Sequence, residues 1–266
     1  VRRFRSRVLE KIRRLRKSFA HARAAFHPNE QGYQLRFGEI GSYRMVYRGG
    51  TADERVFEHG LDRDIFFSGI PQYAPAPGDV IVDVGSHVGT FALPAARRVP
   101  QGKVYAVEAS RETSEYLRAN VALNGLDNVE VLQLALGGAN GRAVLSHDER
   151  NWGHSITIRL SAKGEEVEVA TLAELMRVHR IEHCDLLRLN CEGAEFPALL
   201  AATPETLGRI ERMLVLYHGD LARGYDVDRL VAHLEESGFR VELRNQVALR
   251  GWLVAIRDSV EMSPAS

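Results

Sequence analysis

Apolar positions along the chain change their period twice. In residues 1–27, Val1, Phe4, Val8, Ile12, Leu15, Phe19, Ala22 and Phe26 recur every three or four positions and share one helix face. The stretch His-Pro-Asn-Glu-Gln-Gly at 27–32 breaks that pattern. Alternation follows at 33–37 and 43–48, on either side of Gly41-Ser42, and predicts a small hairpin. Thr51 with Glu54 three residues on is a capping-box pattern that opens a short helix. Pro71, Pro75, Pro77 and Gly78 make 69–78 a loop.

From Asp79 the pattern becomes short apolar runs alternating with helical segments. Val80–Val84 suits a strand buried on both faces. Val88–Val99 reads as a helix, Val104–Val107 as a second strand, and Arg111–Asn124 as a helix stopped by Gly125. Val129–Leu136 is the third strand. Ala143–Ser146, Ser155–Leu160 and Glu166–Val169 alternate, predicting a β-excursion across 141–170 over one sheet edge. Thr171 caps a helix to about Arg180. Asp185–Leu189 and Met213–Tyr217 are the fourth and fifth strands, with helices over Ala194–Ala202 and Val227–Ser237. Arg240–Arg244 and Trp252–Ile256 form an antiparallel closing pair. The alternation implies an α/β fold, with a mostly parallel sheet and right-handed crossovers. It divides the chain into an N-terminal helix and hairpin extension (1–77), a main domain (78–258) and a C-terminal tail (259–266).

Charge sharpens the picture at one end only. The chain is neutral overall, yet residues 1–27 carry ten Arg or Lys against Glu10 alone, so they hold +9 and the remainder −9. Three readings of the basic segment stay open: a helix packed on the main domain or on a twin subunit, giving a homodimer; a membrane-surface helix; or a nucleic-acid contact. The acidic remainder argues against a nucleic-acid groove, so no nucleic-acid partner is expected. No apolar run approaches the ~18–20 residues of a membrane span. The opening apolar residues are interleaved with arginine, unlike a signal peptide. Two cysteines cannot make a disulfide scaffold. Cys184 and Cys191 read as small core residues of a cytoplasmic protein.

The first strand of the alternation runs into Asp83-Val84-Gly85-Ser86-His87-Val88-Gly89. Gly85 permits a sharp turn, Gly89 a close helix–strand approach, and Asp83 can accept hydrogen bonds from an amine or an ordered water. Open α/β sheets bind ligands outside these carboxyl ends. Glu108, 25 residues on at the end of the second strand, is placed to take both hydroxyls of a ribose. The loop departs from the Gly-x-Gly-x-x-Gly of dinucleotide enzymes and is similar to the S-adenosylmethionine (SAM) loop of class I methyltransferases. His87 is either a cofactor contact or loop filler.

Two later segments accumulate with it: Asp185-Leu-Leu-Arg-Leu-Asn-Cys-Glu-Gly-Ala-Glu195 and Leu216-Tyr-His218. Together the three resemble the FkbM family of SAM-dependent methyltransferases over roughly 78–257. Asn120–Asn124 and Ala135-Leu136-Gly137 add to the likeness. The resemblance implies a Rossmann-like sheet of seven strands with a terminal antiparallel strand, and methyl transfer, often to a hydroxyl of a sugar or natural product. The candidate cofactor contacts are Asp83, Gly85, Ser86, His87, Gly89, Glu108, Ala109, Ser110 and Ala135. This chain has Asn190 where the family's fourth strand usually ends in Asp, Arg188 as the basic residue, and Tyr217 where an acid is common. Asn cannot serve as a base.

An alcohol must lose its proton to accept a methyl group, by a general base or by metal-assisted ionisation. His218 is the first candidate base, since imidazole titrates near neutrality. Glu192 is a candidate for substrate or metal, and Asn190 faces the same end. Glu195 reads as structural. Asn190, Glu192, His218 and Asp220 form a conceivable oxygen-rich site for Mg²⁺, without a recognised metal spacing. His154-Ser155 reads as a turn that could reach the substrate mouth. The excursion and the N-terminal segment are expected to shape the pocket of a small hydroxylated acceptor. The competing functions are a SAM-binding module without catalysis, with Asn190 as its mark, and transfer to RNA or protein.

Overall fold

Residues 33–57, 61, 67, 70, 73–147, 153–160 and 164–259 are described by the computed structural model. The helix expected over 1–27 and the tail from 260 lie outside them. The alternating stretches form a hairpin, β1 (Gln34–Ile40) and β2 (Tyr43–Gly49), turned at Gly41-Ser42. A short helix, α1 (Asp53–Phe57), follows, with Thr51 Oγ1 accepting from Asp53 N–H. The apolar runs then give β3 (Val80–Val84), α2 (Ala92–Arg98), β4 (Lys103–Val107), α3 (Arg111–Asn124) and β5 (Val129–Leu132). Next come β6 (Ala135–Leu136), β7 (Gly141–Ser146), β8 (Gly164–Ala170), α4 (Leu172–Val178) and β9 (Leu186–Leu189). The chain continues through α5 (Glu195–Leu200), α6 (Pro204–Leu207), β10 (Arg212–His218), α7 (Val227–Glu236), β11 (Phe239–Val247) and β12 (Arg250–Arg257).

The main sheet has seven strands in the order β11-β12-β10-β9-β3-β4-β5, and β12 runs antiparallel to both neighbours. Side chains alternate across it. Val82, Val84, Leu187, Leu189 and Val215 enter one core with residues of α4, α5 and α7. Ile81, Val104, Ala106, Leu186 and Leu214 enter the other with residues of α2 and α3. Met45 and Val46 of the hairpin join that second core. Asn120 of α3 serves as a surrogate strand partner for them: its Oδ1 accepts from Val46 N–H (2.7 Å) and its Nδ2 donates to the Val46 carbonyl (3.2 Å). The same Nδ2 donates to the Val88 carbonyl (2.9 Å), so one buried amide joins hairpin, helix and loop.

Helix ends follow their capping chemistry. Ser110 caps α3, and Gly125 closes it in the left-handed conformation (φ 65°), where a Cβ would be strained. Thr171 accepts from Glu174 N–H at the start of α4. Thr203 does the same for the unexpected α6, whose first residue is Pro204.

Three expectations are corrected. The run 129–136 is split, because Ala135–Leu136 pairs with Val169–Ala170 in a separate sheet of order β6-β8-β7. The helix expected from Val88 starts only at Ala92, since Gly89 (φ 100°) keeps 87–91 in turns. Ser155–Leu160 is not a strand; its backbone pairs with β7 at the Ser146–Ser155 bridge, and Leu160 N–H donates to Ser146 Oγ (2.7 Å). No helix among the described residues is long and apolar enough to cross a membrane.

One polar pair sits inside the parallel sheet. Asp83 on β3 and Arg188 on β9 stand in register, and Arg188 Nη1 donates to Asp83 Oδ1 (2.9 Å) and to the Gly85 carbonyl (3.0 Å). Both residues are buried, and burial pushes the Asp83 carboxyl up while the Arg188 charge opposes it. Arg188→Met leaves a buried carboxylate without its cation and is expected to cost about 3–5 kcal/mol in urea unfolding. A paired Asp83→Leu/Arg188→Met variant is expected to recover much of that loss. An additive double variant would show that the pair does not act as a unit.

Candidate active site

The strand order reverses between β3 and β9, and a cavity of about 300 Å³ opens at the carboxyl ends there. Its floor is Val84, Gly85, Thr90, Val107, Glu108 and Ala109 from the exits of β3 and β4. Leu134, Ala135 and Leu136 form one wall. Arg188, Asn190, Cys191 and Glu192 from β9 and its exit form another. Leu145, Gly153, His154 and Ile156 of the excursion cover it, with Arg55 and Val56 of α1 and with Leu216 and Trp252.

The floor is shaped by one close approach. Gly85 has φ 78°, and a Cβ there would collide with the Asn190 carbonyl oxygen. Gly89 does not line the cavity; a Cβ there would strike Leu93 and Leu117 instead. Glu108 is buried, with Oε2 accepting from His87 N–H (2.9 Å) and Oε1 from Ser110 N–H (3.0 Å). Burial pushes its carboxyl up to about 7, against those two N–H donors and the Arg48 charge. Each oxygen keeps a lone pair for a further donor, which suits a ribose diol.

The Asn190 Oδ1 is buried, on a residue that lines the cavity, with no hydrogen-bond partner among the described residues. An ammonium or amine donor from a ligand would satisfy it. The residues present could therefore hold SAM, with Glu108 available to the ribose, Gly85 and Asn190 to the amino-acid end, and Ala109, Leu134 and Ala135 to the adenine. Asp83 and Ser86 stand behind the floor. Asp83 is turned to Arg188, and Ser86 Oγ donates to the Asp83 carbonyl (2.8 Å). Ser110 caps α3 and supports Glu108.

The far end is a chain of three ionisable groups. Glu192 lines the cavity, its backbone held at φ 51°. His218, at the end of β10, is buried behind it, with Nε2 3.5 Å from Glu192 Oε2. His218 Nδ1 meets Glu195 Oε1 at 3.1 Å. The Glu195 carboxylate also accepts from Cys191 N–H (2.7 Å) and Gly193 N–H (2.8 Å), the structural part expected of it. Burial pushes the Glu192 carboxyl up, while the His218 charge pulls it down. Burial works against the His218 cation, but the Glu195 hydrogen bond and the charges of Glu195 and Glu192 outweigh it and raise its pKa.

Of the residues expected from the sequence, Gly85, His87, Glu108, Ala109, Ala135, Asn190 and Glu192 line the cavity, and Asp83, Ser86, Gly89, Ser110 and His218 do not. The Mg²⁺ set does not fit. Arg250 holds Asp220 through two 2.8 Å bonds, and His218 turns its two nitrogens to Glu195 and Glu192. Among the described residues, three ligand atoms converge instead at His183, Asp185 and Glu211, near the amino ends of β9 and β10, at the opposite edge of the sheet.

Cys191 packs against the core, as expected, and also lines the cavity; burial pushes its thiol up, away from nucleophilic reactivity. Sequence reasoning missed the cavity role of Arg188 and Trp252 and read His154 as a turn. Burial holds His154 down to about 3, so its imidazole is a neutral hydrogen-bonding group. No periodicity marks these positions, because they meet only when distant segments pack.

A family model described as the methyltransferase FkbM domain matches residues 83–241. The chain is 26% identical to methyltransferase sdnD of Sordaria araneosa, over 85% of this chain and 92% of that protein. It is 26% identical to methyltransferase 1 of Beauveria bassiana, over 68% and 80% respectively. AMB antimetabolite synthetase AmbE of Pseudomonas aeruginosa is 24% identical over 66% of this chain and 10% of that protein. The solved FkbM methyltransferase of Methylobacillus flagellatus superposes with a TM-score of 0.48 at 13% identity, over 71% of this chain and 46% of that one.

Glu108→Ala is expected to weaken SAM binding roughly ten- to hundredfold in calorimetric titration, the worth of hydrogen bonds to a charged group. In the native protein, affinity is expected to rise as pH climbs through about 7, because only the ionised Glu108 accepts from both hydroxyls. A flat profile would remove Glu108 from the ribose contact.

Proposed function

The chain belongs to the FkbM methyltransferase family, and we propose that it transfers the SAM methyl group to a hydroxyl of a small acceptor, a sugar or a secondary metabolite. The observation that carries this reading is Glu192: a carboxylate at the cavity wall, raised by burial, with an imidazole behind it. The antimetabolite synthetase among the relatives supports a secondary-metabolite acceptor.

Bound SAM supplies a methyl group made electrophilic by its sulfonium. What this chain adds is position and proton transfer. Leu145, Ile156, Val56 and Trp252 form apolar walls that exclude water from the acceptor. The Glu192 carboxylate accepts the hydroxyl proton as the oxygen attacks, a role that needs a carboxyl above its usual range. His218 is the counter-charge: its protonated imidazole, oriented by Glu195, favours the ionised form of Glu192 against the burial that disfavours it. Asn190 contributes hydrogen bonds and no base.

The test is methyl transfer to a panel of hydroxylated sugars and phenols, read as release of S-adenosylhomocysteine. Glu192→Gln is expected to lower kcat by about 10²–10⁴-fold while SAM affinity is kept. An equal loss of SAM binding would make Glu192 structural. Turnover of the native enzyme is expected to rise with pH as Glu192 ionises, above the ordinary carboxyl range. His218→Gln removes the cation that favours ionisation, so that rise is expected at higher pH. SAM binding without transfer to any acceptor would favour a binding module.

A further inference from the structure

Glu192 is held in the left-handed region (φ 51°), which strains a residue with a side chain and persists only where the surroundings over-determine it. Part of the restraint comes from Glu195, which holds the amides on either side through Cys191 N–H and Gly193 N–H. The rest comes from the excursion. Ser155 Oγ donates to the Glu192 carbonyl at 2.8 Å, and Thr157 Oγ1 lies 3.3 Å from the same oxygen and 2.8 Å from the Leu221 carbonyl. The two hydroxyls are 2.8 Å apart, and Thr157 N–H donates to Ser155 Oγ. Two hydroxyl protons thus serve two carbonyls, one on the exit of β9 and one on the exit of β10.

Those exits carry Glu192 and His218, whose mutual distance sets the charge pair. Leu221 N–H donates to the His218 carbonyl (3.0 Å), so Thr157 reaches the His218 turn directly. Gly153 lies against the Glu192 side chain, and a Cβ there would overlap its Cγ and Cδ. Gly193 (φ 100°) has no room for a Cβ between Thr157 Oγ1 and the Leu221 carbonyl. The segment is itself anchored on β7, where the Ser146 and Ser155 backbones exchange hydrogen bonds at 2.8 and 3.1 Å.

We propose that Ser155 and Thr157 are positioning residues: their hydroxyls strap the excursion across the exits of β9 and β10 and hold the Glu192 carboxylate beside His218. This rests on Glu192 serving at the reacting end of the cavity. Neither hydroxyl touches the cofactor site, so SAM affinity is not expected to depend on them.

The test uses the full chain and needs no acceptor. Thr157→Val keeps the side-chain shape and removes the hydroxyl. Thr157→Ser restores it. Ser155 is fully buried, so Ser155→Ala is the second variant. The His218 imidazole is followed by NMR titration, assigned by comparison with His218→Gln. Exchange of the 191–193 amides is followed by mass spectrometry, and SAM binding by calorimetry. In Thr157→Val the His218 titration is expected to fall toward the ordinary imidazole value as Glu192 moves off. The 191–193 amides are expected to exchange roughly two- to tenfold faster, the factor of one lost hydrogen bond. SAM affinity is expected to stay unchanged, and Thr157→Ser to reverse both changes. An unchanged His218 titration in Thr157→Val overturns the proposal, as does a change that Thr157→Ser does not rescue. Full turnover by Glu192→Gln would sink the base assignment alone, since the titration and exchange read the strap independently of it.

Discussion

Glu195 has no solvent-exposed surface, yet three donors converge on its carboxylate: the amides of Cys191 and Gly193 and the His218 imidazole. A carboxylate removed from water is tolerated only when its oxygens are this well supplied. The arrangement dictates the rest of the site. The chain leaving β9 must fold back on α5, and residue 192 is forced into the left-handed region. Its side chain is then turned toward the cavity, while His218 is drawn from the end of β10 into the same cluster.

The two ends of the cavity solve different physical problems. At the floor the requirement is close backbone approach, met by Gly85 against the Asn190 carbonyl and by a carboxylate whose lone pairs are only half used. At the far end the requirement is a carboxyl group whose proton affinity is raised but not lost. Burial raises it and the imidazolium restrains it. The buried Asp83–Arg188 pair stands behind the floor. It links β3 to β9 at the point where the strand order reverses, so both ends share one rigid base.

Much of this architecture was legible along the chain. Arg111–Asn124 was readable to the residue because helical periodicity and a closing glycine are local signals. Val80–Val84 was readable because a strand buried on both faces is a short unbroken apolar run. Gly85, Glu108 and Asn190 were readable as cavity residues because each follows directly on a strand's carboxyl end, and Glu192 because it lies three residues beyond one. The break between Leu132 and Ala135 was not, because an apolar run has the same pattern whether it serves one sheet or two.

The sequence by itself determined most of the strands and helices of the main sheet, the helix ends at Thr171 and Gly125, and the set of groups delivered to one sheet edge, since periodicity and turn chemistry act over a few residues. Only the tertiary structure decided which of those groups meet. It turned Asp83 to Arg188, set His218 behind Glu192, brought His154 over the cavity and laid Ser155 and Thr157 across two strand exits. Those contacts join residues tens of positions apart. Their partners are selected by packing and by the need to satisfy each buried polar atom, and no local pattern encodes that selection.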